Sequence, residues 1–299
     1  MTELIHSLQG TDAGRQAALW LALVAALMHA LFGAMQKGRY NPWVTRGGID
    51  LAYATIALPL ALFTVPWPEA HMWPILIGSF LLHSAYKLLQ AAALSRGAYT
   101  VVYPVIRGSG PLFTVIGAGL LFGESFNPGQ WGGLAVLVGG IFGLAALNWH
   151  GGSIDRATML PALGLAVATG AFVASYTTWD AWAIRQTWNP FTFLWWFFVL
   201  DGLLMPFITR RQLMALPRQE IARFTIKVVA GALVAYASFG AILIATRIGN
   251  VGEAAVLRET SVVFAALIGW LVLGERTRAP QLVMMVMIAA GAVIVKMAA

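Results

Sequence analysis

Long runs of apolar residues alternate with short polar links along almost the whole chain. Each run is about 20 residues long, the length of helix that crosses the hydrocarbon core of a bilayer. Charged residues, proline or glycine bound the runs. The pattern predicts ten transmembrane helices, at about 17–36, 48–66, 73–94, 98–122, 129–148, 159–182, 190–209, 224–246, 250–273 and 279–297.

Composition and charge agree with a membrane-embedded chain. Charged residues make up 10% of the 299 residues and hydrophobic residues 59%, whereas soluble domains carry about 25% charged residues. The net charge of +7 is spread over the short links, where Lys and Arg set topology, so we expect no nucleic-acid partner. The absence of cysteine excludes disulfides and thiolate metal sites. We expect no cofactor and no bound metal.

One pattern recurs in the two halves of the chain. Arg107 precedes Glu124 by the same spacing that separates Arg258 from Glu275. A proline then opens the last span of each half, where the first helical turn tolerates it. The recurrence predicts the duplication of a five-helix unit.

We therefore divide the chain into a polar tail, a first repeat, a linker and a second repeat, at 1–16, 17–149, 150–158 and 159–297. Because each repeat crosses the membrane an odd number of times, the two must run in opposite senses, as in many secondary transporters. The predicted fold is an all-α integral membrane protein with two inverted five-helix repeats around a central cavity.

The Lys and Arg residues outside the spans fall mostly on one face of this layout. Basic loops are cytoplasmic as a rule. We therefore expect a multi-pass protein of a bacterial-type inner membrane with both termini on the non-cytoplasmic side.

The arrangement resembles the drug/metabolite transporter superfamily, EamA type, and is similar to its amino-acid exporters. A Gly-Glu pair closes the fourth helix of each repeat, at Gly123-Glu124 and Gly274-Glu275, and Lys37 ends the first helix. Relatives often carry Trp in the middle of the first helix of each repeat, where this chain has His29 and Phe172. Many relatives also keep both termini in the cytoplasm, against the charge rule here.

The resemblance implies a secondary transporter that needs no ATP, and not an enzyme. Family members move amino acids, amines, nucleotide-like metabolites or drugs, mostly outward in bacteria. We expect this chain to export small metabolites, above all amino acids including neutral or aromatic ones, by alternating access, and other small solutes or drugs are the alternative cargo. A membrane-embedded enzyme or a channel is a further alternative from the residues alone. The expected partners are a small-molecule substrate and the lipid bilayer. Glycine-rich faces in spans five and ten serve packing within a monomer or, alternatively, a homodimer seam.

Three cations, Lys87, Arg107 and Arg258, lie inside predicted spans. A charge at the bilayer centre costs about 3 kcal/mol or more and marks a functional site by default. Lys87 shares one helical face with His83 and Tyr86, because spacings of three and four coincide on a helix. This stripe predicts either a wet cargo cavity or a structural hydrogen-bond network between helices.

Span four is rich in helix-breaking residues around Arg107, namely Pro104, Gly108, Gly110 and Pro111. Prolines remove helical hydrogen bonds and glycines loosen the backbone, so we expect a broken helix that acts as a hinge or site, or else a static kink. Tyr99 and Tyr103 lie one turn apart before it and are candidates for stacking on cargo. Trp179 either lines the cavity or packs against lipid.

Arg258 and Glu259 are adjacent in span nine. They point about 100° apart on a helix, so each needs a partner elsewhere. Asp180 and Asp201 are the candidate carboxylates, and a structural Arg–carboxylate clamp is the alternative to a cargo site. His29, Asp201 and Glu259 are the candidates for proton coupling.

These charges suit a zwitterionic cargo. Its carboxylate would bind Lys87 or Arg107, its ammonium would bind Glu259 or Asp201, and an apolar or aromatic side chain would contact Tyr and Trp rings.

Overall fold

The computed structural model describes residues 1–36, 39–97, 99–150, 156–271 and 278–299. Within these ranges the regular secondary structure is helical, with no strand, and short turns and loops join the helices. The helices are α1 Thr2–Leu8, α2 Asp12–Gln36, α3 Pro42–Phe63, α4 Met72–Arg96, α5 Tyr99–Phe122, α6 Pro128–His150, α7 Arg156–Ala183, α8 Pro190–Asp201, α9 Leu204–Met214, α10 Arg218–Ile248, α11 Val251–Arg258, α12 Ser261–Leu271 and α13 Ala279–Met297.

Eight helices of the described chain are each long and apolar enough to cross a bilayer, and the bent pair α8–α9 makes a ninth span if it is counted as one. These nine match the first eight predicted spans and the last one. The remaining predicted span, 250–273, holds α11 and α12, which are only 8 and 11 residues long. The membrane-embedded, all-α fold is therefore confirmed, while the full count of ten stays a prediction.

Two spans begin with the same N-cap motif, an asparagine followed by a proline, which the apolar pattern does not show. The Asn41 side chain accepts a hydrogen bond from the Trp43 N–H at 2.8 Å, and Asn189 accepts one from the Phe191 N–H at 3.0 Å. A proline follows each asparagine at the first helical position. An N-cap side chain supplies an acceptor to the open first turn, and proline there loses no helical bond.

The interruption predicted in span four is wrong, because α5 runs as one helix through Pro104 and Pro111. Nearby hydroxyl groups bond to carbonyls one turn back: Ser109 Oγ donates to the Val105 carbonyl at 2.7 Å and Thr114 Oγ1 to the Gly110 carbonyl at 2.9 Å. These are not the carbonyls that the prolines free, which belong to Thr100 and Arg107, so the hydroxyl bonds do not replace the helical bonds that Pro104 and Pro111 remove. The hinge role of these residues stays a prediction.

Breaks occur instead in spans seven and nine. The helices α8 and α9 meet at 45°. At Gly202 a Cβ atom would lie 2.5 Å from the Ala54 Cβ and 2.7 Å from the Asp50 carbonyl oxygen, so only glycine allows α8 to end so close to α3. Between α11 and α12, Glu259 and Thr260 donate from their backbone N–H groups to carbonyls three residues back, which marks a tightened turn.

The chain forms two compact units. Unit 1 comprises residues 1–81 and 180–248, and unit 2 comprises residues 82–179 and 249–299. In unit 1, α2 packs on α10, and α3 packs on α8, α9 and α10. In unit 2, α5 packs on α6 and α11, and α6 packs on α13. Each unit therefore takes helices from both halves of the sequence, and neither unit is one of the predicted repeats.

Glycines allow the closest helix pair of unit 2. A Cβ atom at Gly291 would lie 2.5 Å from the Leu137 backbone nitrogen and 2.6 Å from the Gly133 carbonyl oxygen, and one at Gly140 would lie 2.8 Å from the Met284 carbonyl oxygen. The glycine-rich faces of spans five and ten thus bring α6 and α13 into backbone contact, as small-residue faces do in membranes.

Candidate functional site

The candidate site in unit 2 centres on a buried ion pair between α5 and the end of α11. Arg107 Nε lies 2.9 Å from Glu259 Oε2, and the two side chains are 5% and 2% exposed. Arg107 Nη2 also donates to Ser261 Oγ at 3.1 Å. Arg107 comes from the first half of the sequence and Glu259 from the second, so this contact joins the two halves inside one unit.

The pair is close but poorly aligned. Neither Arg107 Nε nor Glu259 Oε2 makes a hydrogen bond of good geometry, although the two atoms are within ion-pair distance. The attraction is therefore mainly Coulombic, and buried pairs of this kind often contribute little net stability. Losing one partner is costly, since it leaves the other charge buried alone.

Arg107 and Glu259 thus form the Arg–carboxylate clamp that the sequence left open as the alternative to cargo binding. The sequence offered Asp180 and Asp201 as partners for the charges of span nine. Instead, both belong to unit 1, where Ser79 Oγ donates to Asp180 at 2.7 Å and the Tyr53 hydroxyl donates to Asp201 at 2.5 Å. The roles of Arg107 and Glu259 in cargo binding stay predictions.

Arg258 differs from the other buried arginines of the described chain, because Arg107 binds Glu259 and Ser261 and Arg247 donates to backbone carbonyls, whereas no such contact of Arg258 is found among the described residues. Arg258 is the last residue of α11 and is 7% exposed. Its Nε has no hydrogen-bond partner. Glu259 attracts it through space, but that carboxylate is in contact with Arg107. Two buried arginines therefore share one carboxylate, and Arg258 has no direct ion pair among the residues that the structure describes.

The helix dipole at the C-terminus of α11 stabilises Arg258 by less than its burial costs. The negative end of a helix dipole stabilises a cation by about 0.3–1 kcal/mol, or about 2 kcal/mol in favourable partly buried sites. Removing a charged group from water costs several kcal/mol even after the protein relaxes. The desolvation cost therefore exceeds the stabilisation by the dipole, and an anionic ligand would stabilise the Arg258 guanidinium.

Aromatic side chains of unit 2 lie near these charges. The Tyr176 ring on α7 lies 4.2 Å from the His83 ring and 5.1 Å from the Tyr86 ring, both on α4. Tyr86, Tyr103 and Tyr176 are close enough to Arg107 to interact with its charge. The predicted stripe of His83 and Tyr86 therefore meets an aromatic partner, Tyr176, that the sequence analysis did not single out.

The other predicted site residues divide between the units. In unit 2, Lys87 is buried and Trp179 half-buried, and both take part in further interactions. His29, in unit 1, is half-buried on α2 and also engaged. The side chain of Tyr99 lies outside the described residues. Within the described ranges no group of His, Asp and Glu side chains is arranged to hold a metal ion.

The Gly-Glu pair of the first half has a physical role that the sequence did not reveal. Gly123 adopts a left-handed conformation with φ of +68° directly after α5, which ends the helix as glycine commonly does. Glu124 then accepts hydrogen bonds from the backbone N–H groups of Val251 at 2.7 Å and Gly252 at 2.9 Å. A carboxylate from the first half thus caps α11, the helix that carries Arg258. Gly274 and Glu275 lie outside the described residues.

The profile of the EamA-like transporter family matches this chain twice, over residues 16–146 and 160–297. The chain belongs to the EamA-like transporter family. It is accordingly a member of the drug/metabolite transporter superfamily, a multi-pass membrane transporter of small solutes, and the lipid bilayer and a small molecule are its partners. The two matched segments each cover one half of the sequence, so both units of this EamA-like transporter contain helices from both matches.

Two further comparisons agree with this membership. The "Uncharacterized protein y4nH" of Sinorhizobium fredii (strain NBRC 101917 / NGR234) is 32% identical over 99 residues, which are 33% of this EamA-like chain and 82% of that protein. A protein with a solved crystal structure matches over 96% of this chain and 98% of its own, with a TM-score of 0.75 and 16% sequence identity. This second likeness shows the fold.

Proposed function

We propose that this transporter exports small metabolites that bear a carboxylate, amino acids with neutral or aromatic side chains above all. Transport is secondary and uses no ATP, with alternating access through a central cavity between the two repeats. The protein lies in a bacterial-type inner membrane with both termini on the non-cytoplasmic side.

One observation carries the proposal: Arg258 is buried at the break between α11 and α12 without an ion pair of its own among the described residues. Arginine presents a planar fork of donors that matches a carboxylate. Broken helices are also where secondary transporters tend to bind their cargo. A carboxylate on Arg258 would provide the missing counter-charge.

The rings near Arg107 support an apolar or aromatic side chain on the cargo. Tyr86 and Tyr176 contact each other edge to face, at 5.1 Å, and they belong to the same unit as Arg258. Aromatic rings prefer such edge-to-face or offset contacts, and a third ring on the cargo extends the same packing.

Counterflow into proteoliposomes tests the proposal. Vesicles loaded with one solute are offered the same solute with a radioactive label, across a panel of amino acids, amines and sugar phosphates, with and without a pH gradient. We expect saturable exchange of neutral and aromatic amino acids. Exchange confined to amines or sugar phosphates would contradict it, and so would no exchange of any carboxylate-bearing solute.

A further inference from the structure

Resting on the proposed function, we infer that the site in unit 2 recognises the carboxylate of its cargo and does not bind the α-amino group. The transporter therefore also carries 2-oxo and 2-hydroxy acids with apolar or aromatic side chains. The inference replaces the zwitterionic cargo that the sequence pattern suggested, because each acceptor assigned to the ammonium already has a partner: Glu259 binds Arg107, and Asp201 accepts from Tyr53.

All four buried carboxylates of the described chain have partners within their own unit. In unit 1, Asp50 binds Arg46 at 2.7 Å, Asp180 accepts from Ser79, and Asp201 accepts from Tyr53. In unit 2, Glu259 binds Arg107 at 2.9 Å. A cargo ammonium would have to displace one of these partners, and displacing Arg107 from Glu259 would leave a second arginine buried without a counter-charge.

The less buried carboxylates of unit 2 are engaged as well. Glu124 accepts from two backbone N–H groups at the start of α11. Glu253 accepts from Gln130 at 3.2 Å and lies 3.7 Å from Lys296 Nζ. Near Arg258, the described part of unit 2 thus provides an excess of positive charge and no unengaged acid.

This excess of positive charge determines which group of the cargo the site recognises. A site that forms hydrogen bonds to a cargo group rejects an analogue lacking that group by about 10⁴-fold or more, whereas a site without such bonds discriminates by about 10²-fold or less. Arg258 supplies donors for a carboxylate, so loss of the carboxylate is costly. Replacing the amino group by an oxo or hydroxyl group removes no bond that the site makes, and it also removes a cation from beside Arg258.

The test compares four solutes that share one benzyl side chain: phenylalanine, phenylpyruvate, phenyllactate and phenethylamine. Labelled counterflow is measured in proteoliposomes held at zero membrane potential, because the solutes differ in charge, and protein-free vesicles give the passive leak. We expect phenylpyruvate and phenyllactate to exchange at rates equal to or above that of phenylalanine, and phenethylamine to show leak alone.

The variant Glu259→Gln tests whether Glu259 binds the ammonium group of the cargo or serves only to stabilise the protein. If Glu259 binds the ammonium, the variant loses phenylalanine exchange selectively; the inference predicts an unchanged ratio of phenylalanine to phenylpyruvate exchange, whatever the absolute rates. If this variant does not fold, the double variant Arg107→Met with Glu259→Leu gives the ratio, because it removes the carboxylate together with its ion-pair partner.

The outcomes distinguish the inference from the proposed function. Phenylalanine exchange more than about tenfold faster than phenylpyruvate exchange, or a selective loss in the Glu259 variants, overturns the inference and leaves amino-acid export standing. Exchange of phenethylamine but of none of the three acids, or of no solute at all, overturns both.

Discussion

Arg107 and Glu259 bind each other at 2.9 Å inside unit 2, so an arginine from the first half of the sequence neutralises the carboxylate beside Arg258. The contact explains two of the intramembrane charges as a pair. It also leaves Arg258 without a carboxylate of its own among the described residues.

The Arg107–Glu259 pair should behave as a coupled unit in unfolding experiments. Glu259→Leu leaves two buried arginines without a carboxylate and should reduce the free energy of unfolding by about 3–5 kcal/mol. Arg107→Met should reduce it by less, because Arg258 still attracts Glu259. The double variant should recover most of this loss, because an apolar pair of similar volume needs no counter-charge. Thermal unfolding of the wild type, both single variants and the double variant in one detergent gives a double-mutant cycle. A double variant whose loss of stability equals the sum of the two single losses would contradict the coupling.

Glu124 should position α11 rather than bind cargo. Removing a helix-capping acceptor costs about 1 kcal/mol, so Glu124→Ala should lower stability by that amount and raise the KM of exchange more than it lowers the maximal rate. Glu124→Gln keeps one acceptor oxygen and should lie between the two proteins. The exposed Glu69 offers a matched control in Glu69→Ala. A Glu124→Ala protein with unchanged KM would contradict the positioning role.

We expect Asp201, a carboxylate inside predicted span seven, to couple transport to protons. It lies at the end of α8, next to the bend at Gly202, and accepts from Tyr53. Asp201→Asn should abolish stimulation by a pH gradient while preserving counterflow, which needs no net proton movement. Asp180→Asn is the matched control, because Asp180 is buried like Asp201 and also accepts a hydrogen bond from a hydroxyl group. This control variant should keep its stimulation by the pH gradient. Stimulation retained in Asp201→Asn would exclude this residue.

The packing of α6 on α13 should tolerate no methyl group at Gly291. Its Cβ would meet backbone atoms at 2.5 and 2.6 Å, so the helices must separate, and we expect Gly291→Ala to reduce the free energy of unfolding by about 1–3 kcal/mol. Gly132→Ala is the control on α6, because no atom lies within 4 Å of its added Cβ. Equal melting temperatures for the two variants would contradict the close approach.

The membrane spans could be predicted from the sequence because the bilayer imposes length and apolarity on each helix separately. The breaks could not. Residues 190–209 and 250–273 are as apolar as unbroken spans, and the close approach of α3 that Gly202 allows at the end of α8 joins residues far apart in the sequence. Conversely, Pro104 and Pro111 indicated a break in α5, whereas the helix runs through both of them.

The candidate site was predictable in its residues but not in its pairing. Burial of charge identified Arg107, Arg258 and Glu259 without any knowledge of contacts. Their pairing depends on α5 packing against α11, two helices from different halves of the sequence, and no local spacing encodes that contact. The cap from Glu124 to Val251 was missed for the same reason. The Asn-Pro starts at Asn41 and Asn189, in contrast, carry a local signal that sequence analysis can read.

The most direct test of the central claim is the effect of Arg258 on phenylalanine counterflow in proteoliposomes. The wild type, Arg258→Lys and Arg258→Gln are compared at equal protein content, with Arg211→Gln, at an exposed position, as the matched control. The account predicts exchange in the control equal to the wild type, reduced exchange in Arg258→Lys and exchange at the leak rate in Arg258→Gln. A folded Arg258→Gln protein that exchanges phenylalanine at the wild-type rate would contradict it.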